Sequence, residues 1–63
     1  MQPYQQRVLD EYAALDEKAK SLYVFFVTKT FESLDKDEKD LLRMQYYTMM
    51  VYVGILQRRI AKF

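Results

Sequence analysis

Two stripes of apolar residues with helical spacing run along this sequence. In the first half of the chain, bulky or apolar side chains recur in alternating steps of four and three residues, at Val8, Tyr12, Leu15, Ala19, Leu22 and Phe26. In the second half the same steps connect Leu42, Tyr46, Met49, Val53, Leu56, Ile60 and Phe63. Because such spacing places each set on one face of an α-helix, the sequence predicts two long amphipathic helices.

The segment between the two stripes carries the signals of a helix start. Asp35, followed three residues later by Glu38, is a variant of the capping box, and Leu34 lies before it where a staple residue belongs. Asp37 and Glu38 then fall in the first turn, where the helix dipole favours negative charge. The second helix is therefore expected to begin directly after Asp35.

Only one proline and one glycine interrupt the chain, and Pro3 suits the first turn of a helix. A connection of three or four residues forces consecutive helices to lie antiparallel. The sequence thus predicts an all-α, two-helix antiparallel hairpin in one domain over residues 1–63. Its parts are a helix at about 3–32, a turn at about 33–35 and a helix at about 36–62.

Each helix carries more apolar side chains than one seam can cover. With 51% apolar residues and neither Cys nor His, the chain lacks disulfide and zinc staples, and self-association is the remaining way to bury this surplus. We therefore expect a homodimer that forms a four-helix bundle. Gly54 is either a close backbone approach at the junction or a tolerated residue. The candidate oligomer or partner interface comprises Tyr23, Phe25, Val27, Phe31, Tyr47, Met50 and Tyr52.

Composition also limits the chemistry that this chain can perform. Without Cys or His, thiolate catalysis, histidine-based triads and ordinary zinc sites are excluded. Acidic side chains at helical spacing are interpreted as solvated faces, so the sequence predicts no enzyme activity, no cofactor and no metal. The longest uncharged run has 14 residues, too few for a membrane span, and no signal peptide is recognisable. We expect a protein of the cytoplasm without a membrane partner.

The charges are unevenly distributed although the net charge is only +1. Residues 43–63 contain Arg43, Arg58, Arg59 and Lys62 and no acid. Arg58, Arg59 and Lys62 are a possible anion contact, which would allow weak binding of nucleic acid. Complementation of the helix dipole explains these cations equally well, and nucleic acid is not the favoured partner.

Short motifs along the whole chain resemble a known group. "VLD", "LDEK", "LLRMQ" and "LQRRI", with the acidic turn between the second and third, are similar to the small proteins of the exo–xis early region of lambda-like temperate phages. This resemblance implies a phage protein in the host cytoplasm with an accessory or regulatory role. It would act by protein–protein interaction with an unidentified host or phage protein, influencing host physiology and the choice between lysis and lysogeny. The resemblance assigns no functional residues.

An alternative of a different class remains open. Some phage hairpin proteins of similar size oligomerise and sequester cyclic-nucleotide immune signals, using aromatic and basic residues at subunit junctions. This chain has ten aromatic residues and four Arg, but no motif of that class. The alternative is therefore a binding module that sequesters a nucleotide signal.

Overall fold

The computed structural model describes every residue from Met1 to Phe63 and contains only helices. They are α1 (Pro3–Phe25), α2 (Lys29–Glu32) and α3 (Lys36–Ile60). α1 packs along α3, and ring contacts between Tyr4 and Phe63 and between Tyr23 and Tyr46 show that the two run antiparallel. The all-α hairpin predicted from the sequence is confirmed. None of the three helices combines the length and the apolar content that a membrane span requires.

The core is a thin seam between the two long helices. Only five of the 63 residues are buried, and four of them, Val8, Ala19, Val53 and Leu56, belong to the two apolar stripes. A hairpin measuring 46 × 15 × 14 Å has little interior, so most stripe residues are only half-buried. Each long helix therefore leaves most of its circumference to solvent.

The first helix ends at Phe25, seven residues before the end expected from its sequence, and α2 follows as a separate turn. The cause is Thr28, whose hydroxyl donates a hydrogen bond to the Phe25 carbonyl at 2.7 Å and accepts one from the Phe31 N–H at 3.1 Å. Threonine side chains compete in this way with the helical backbone ladder and cap the next helix. The chain consequently bends back over its own end.

This bend corrects the expected position of Phe31. We expected Phe31 at an oligomer or partner interface, but it is 5% exposed and packs against Phe25 and Phe26, with ring centroids 5.9 and 5.1 Å apart. The guanidinium of Arg43 lies 5.2 Å from the centroid of the Phe31 ring. Phe31 therefore belongs to the core that closes the turn end of the hairpin.

The start of α3 agrees with its sequence signals. The Asp35 carboxylate accepts a hydrogen bond from the Glu38 N–H at 2.8 Å, as an N-cap does. The helix ends at Ile60, two residues before the expected end, with Arg58 and Arg59 in its last turn. The cap thus fixes the first residue of α3, while the apolar stripe determines which face of α3 meets α1.

An aromatic groove as candidate functional site

One concave site lies between α1 and α3, and we call it the groove. It has a volume of about 500 Å³ and opens to solvent along one side of the hairpin. Its lining is mostly apolar and comprises Asp16, Ala19, Lys20, Tyr23, Val24, Tyr46 and Met50. A volume of this size lies within the range of small-molecule sites.

The helical repeat explains why these residues meet. In α1 the lining residues recur at steps of three and four from Asp16 to Tyr23, directly beside the core stripe. Tyr46 and Met50 are one turn apart on α3 and face the same side of the pair. The groove therefore lies beside the helix–helix seam, and the small, buried Ala19 is shared by the groove and the core.

Aromatic packing holds one wall of the groove in place. Tyr46 contacts the rings of Tyr23, Phe26 and Tyr47 at centroid distances of 5.6, 5.6 and 5.8 Å. The first of these pairs is tilted by 40°, and the other two are close to edge-on. Aromatic pairs at these distances add stabilisation beyond their buried area, so Tyr23 and Tyr46 form an ordered surface. The Tyr23 side chain remains 60% exposed.

A single cation lies at the margin of the groove. The Lys20 ammonium forms an ion pair with the Asp16 carboxylate at 2.9 Å, and this hydrogen bond raises the pKa of Lys20 above its ordinary value. Lys20 therefore stays protonated at physiological pH. An ammonium has three donors, and the Lys20 side chain is 78% exposed, so donors remain for a second acceptor. The groove thus combines flat aromatic surfaces with a cation that can donate hydrogen bonds to an anionic group.

Two side-chain hydrogen bonds outside the groove connect α1 to α3. The Tyr52 hydroxyl donates to the Glu11 carboxylate, and the Gln57 amide donates to the Tyr12 hydroxyl at 3.2 Å. Because the hydrogen bond to Glu11 stabilises the neutral phenol, it raises the pKa of Tyr52 above its ordinary value. Tyr52 was expected at an interface; it is 40% exposed, and its hydroxyl connects α1 to α3.

The structure places the residues of the predicted hairpin core along the seam. Val8, Ala19, Val53 and Leu56 are buried, and the other eight are half-buried: Tyr12, Leu15, Leu22, Phe26, Leu42, Tyr46, Met49 and Ile60. Of the predicted interface residues, Val27 is 85% exposed and Phe25 is half-buried. Tyr23 and Met50 line the groove.

Sequence periodicity did not single out Asp16, Lys20 or Val24 as site residues, although the four-residue spacing of Asp16 and Lys20 beside Tyr23 is visible in the sequence.

The predicted anion contact is not part of the groove. Arg58 lies eight residues beyond Met50, which is about 12 Å along a helix. Arg58, Arg59 and Lys62 are exposed, and no acidic side chain pairs with any of them. Gly54 has no neighbouring atom within 4 Å of where a Cβ would stand, so it is not a close approach within this chain.

Comparison with known proteins gives two matches. A family model described as Sequestin matches residues 2–62. The chain is also 36% identical over 63 residues to an uncharacterised 7.5 kDa protein encoded in the denB–rIIB intergenic region of Enterobacteria phage T4, covering 100% of this chain and 98% of that relative. No solved structure matches. These matches support the phage part of the resemblance noted in the sequence, but not specifically the exo–xis group.

Proposed function

The chain belongs to the Sequestin family, and we propose that this small phage accessory protein acts by sequestration, holding a nucleotide-type signal in the groove. The family name is in keeping with a protein that retains a ligand. The proposal concerns binding and withholding, with no chemical change to the ligand. Its active form is the folded hairpin with the groove open.

The observation that carries the proposal is the joint presence of Tyr23, Tyr46 and Lys20 in one groove. Every nucleobase has a flat π-face that stacks on aromatic side chains, at about 1–3 kcal/mol per base. A phosphate group of the same molecule can then accept hydrogen bonds from the Lys20 ammonium. An aromatic surface beside a cation therefore matches the two parts of a nucleotide.

The environment of the groove favours retention of a ligand over its conversion. Its only ionisable groups besides tyrosine are Asp16 and Lys20, which form an ion pair in which the Lys20 side chain remains 78% exposed. General acid–base catalysis would need a group with a pKa near neutrality, whereas the ion pair raises the pKa of Lys20 further above its ordinary value. We therefore propose a binding protein that acts in stoichiometric amounts.

A second candidate is capture of a host or phage protein. Apolar side chains outside the groove favour it: Tyr4 and Phe63 form an edge-on ring pair at the end of the hairpin where both termini lie, and they are 51% and 43% exposed. Aromatic side chains of this kind are enriched at protein interfaces. Affinity capture from host lysate with the native chain and with Tyr4→Ala tests this candidate separately from the groove.

Calorimetric titration tests the sequestration proposal. The native chain is titrated with a cyclic dinucleotide, with a mononucleotide and with inorganic phosphate, and we expect saturable binding of at least one nucleotide but not of phosphate alone. Tyr23→Ala should weaken binding about 10- to 100-fold, because it removes one stacking surface. Tyr4→Ala is the matched control, since it removes an exposed tyrosine from the other end, and it should leave affinity unchanged.

Three results would contradict the proposal: no heat with any nucleotide, equal binding of phosphate alone, or equal losses in the Tyr23 and Tyr4 variants. A variant with Lys20→Gln separates the two parts of the recognition. We expect it to reduce the affinity for nucleotides and to make the remaining affinity less sensitive to salt. Circular dichroism of each variant establishes that it is folded before titration.

A further inference from the structure

The surface of α3 that faces away from α1 carries a second apolar stripe, which we call the outer stripe. It runs in alternating steps of four and three through Asp40, Met44, Tyr47, Val51, Gly54 and Arg58. Each of these residues precedes a residue of the core stripe by two positions, which is about 200° around a helix. Met44, Tyr47 and Val51 are 62%, 66% and 66% exposed. A helix that is apolar on opposite faces is typical of one covered on both.

The outer stripe is complementary to itself when it is read in the opposite direction. Two antiparallel copies of α3 related by a two-fold axis at position 49 place residues whose numbers add to 98 opposite one another. Tyr47 then meets Val51 of the second copy, and Met44 meets Gly54. We propose that a second copy of this chain docks on the outer stripe in this antiparallel register.

Charge supports both the partner and its direction. The register places Asp40 at one end of the stripe opposite Arg58 of the second copy, and the two-fold axis repeats the pair at the other end. Arg58 has no ion pair within its own chain. The Asp40 carboxylate pairs with Lys36 at 2.8 Å and with Arg43 at 3.4 Å in its own chain, and its side chain is still 45% exposed to a further cation. More broadly, residues 32–42 carry five acids and two lysines, whereas residues 55–63 carry three cations and no acid. Antiparallel copies bring these opposite charges together, and parallel copies bring like charges together.

Gly54 gives a steric reason for the same register. A helix-interior glycine costs about 1 kcal/mol relative to alanine, and nothing within this chain requires it, since a Cβ there would meet no atom within 4 Å. On the outer stripe the glycine leaves a notch between Val51 and Arg58. The flexible Met44 side chain of the second copy would fill that notch, because methionine adapts to irregular gaps.

The exposed area of the hairpin is of the size that such an interface buries. The chain exposes 5055 Å², whereas a globular chain of 7.7 kDa is expected to expose about 4,300 Å². The excess of about 700 Å² is close to the roughly 800 Å² that each partner buries in a standard interface. Docking of a second copy would therefore give each hairpin the burial of an ordinary small domain.

Disulfide trapping tests the register directly, because the chain has no native cysteine. One sample mixes the full-length Tyr47→Cys chain with the full-length Val51→Cys chain, and others contain each chain alone. We expect fastest crosslinking in the mixture, since positions 47 and 51 face each other and disulfides need Cα atoms about 4.4–6.8 Å apart. Lys18→Cys, on an exposed face of α1, is the control and should crosslink only at the rate of random collision.

Faster crosslinking of either single variant alone than of the mixture would overturn the antiparallel register, as would equal rates in all samples. Sedimentation equilibrium of the native chain provides an independent readout that needs no cysteine. We expect a mass of about twice 7.7 kDa at micromolar concentration, and Val51→Lys should shift the chain to the monomer while its circular dichroism stays helical. A stable native monomer would overturn the proposal. Neither experiment depends on a ligand, so each can fail independently of the proposed function.

Discussion

Replacement of Leu56 by alanine tests whether the seam of the hairpin is its stabilising core. Leu56 is 0% exposed and is the largest fully buried side chain. The substitution removes about three carbon atoms, worth about 0.8 kcal/mol each in transfer from water, and the remaining cavity adds to this loss. We expect the free energy of unfolding to fall by about 3 kcal/mol, which is most of what a chain below 70 residues possesses.

The measurement is urea denaturation followed by far-ultraviolet circular dichroism, at one fixed protein concentration for all variants. Leu41→Ala is the matched control, since it makes the same chemical change on the same helix at a side chain that is 59% exposed. It should alter the free energy of unfolding by less than about 0.5 kcal/mol. Equal losses in the two variants, or a loss below about 1 kcal/mol for Leu56→Ala, would refute the packing that we describe.

Phe26→Asp puts an unpaired charge into the aromatic cluster at the turn end, so we expect the helical circular dichroism signal to collapse, and a native spectrum and melting curve would contradict the seam. Asp35→Ala removes the N-cap of α3 and should lower the free energy of unfolding by about 1 kcal/mol in urea, whereas Asp35→Asn should retain most of it. Hydrogen bonding from Lys36 lowers the pKa of Asp40 below its ordinary value of 3.8. This pair therefore stabilises the fold above that value, and the contribution is lost as pH falls through the lowered pKa. A titration by nuclear magnetic resonance should show the pKa of Asp40 rising in Lys36→Gln, and an unchanged value would exclude this cause.

The hairpin was predictable because its cause lies in the periodicity of the sequence. Two stripes in steps of four and three can be buried only by facing each other, and the Asp35 cap fixes where the second helix begins. The end of α1 was not predictable in this way. No glycine or proline occurs between residues 4 and 53, and the break depends on one hydroxyl, that of Thr28, outcompeting the helical backbone ladder. The Phe31 whose N–H is capped by Thr28 is also buried against Phe25 and Phe26, a tertiary contact that periodicity does not encode.

The groove was only partly predictable for a related reason. Periodicity assigns a residue to a face of a helix, but it does not predict the depth of the groove between two paired helices. Tyr23 and Met50 were recognised as surplus to the seam, and Tyr46 was assigned to the core. The sequence does not distinguish Lys20 from the other solvated charges of α1, whereas the structure places it in the groove with Tyr23 and Tyr46. The predicted cations at positions 58, 59 and 62 lie elsewhere, in the last turn of α3 and just beyond its end.

The groove and the outer stripe meet at Met50, which lines the groove and precedes Val51 of the outer stripe. If a second copy covers the outer stripe, its α3 becomes a neighbour of the groove, and we expect ligand binding and dimerisation to be coupled. Linkage then requires that each process strengthen or weaken the other by the same factor. The affinity for a nucleotide should accordingly change between protein concentrations below and above the dimer dissociation constant, and Val51→Lys should hold it at the monomer value at every concentration. An affinity that depends on concentration in Val51→Lys as it does in the native chain would show that the groove and the interface do not communicate in this way.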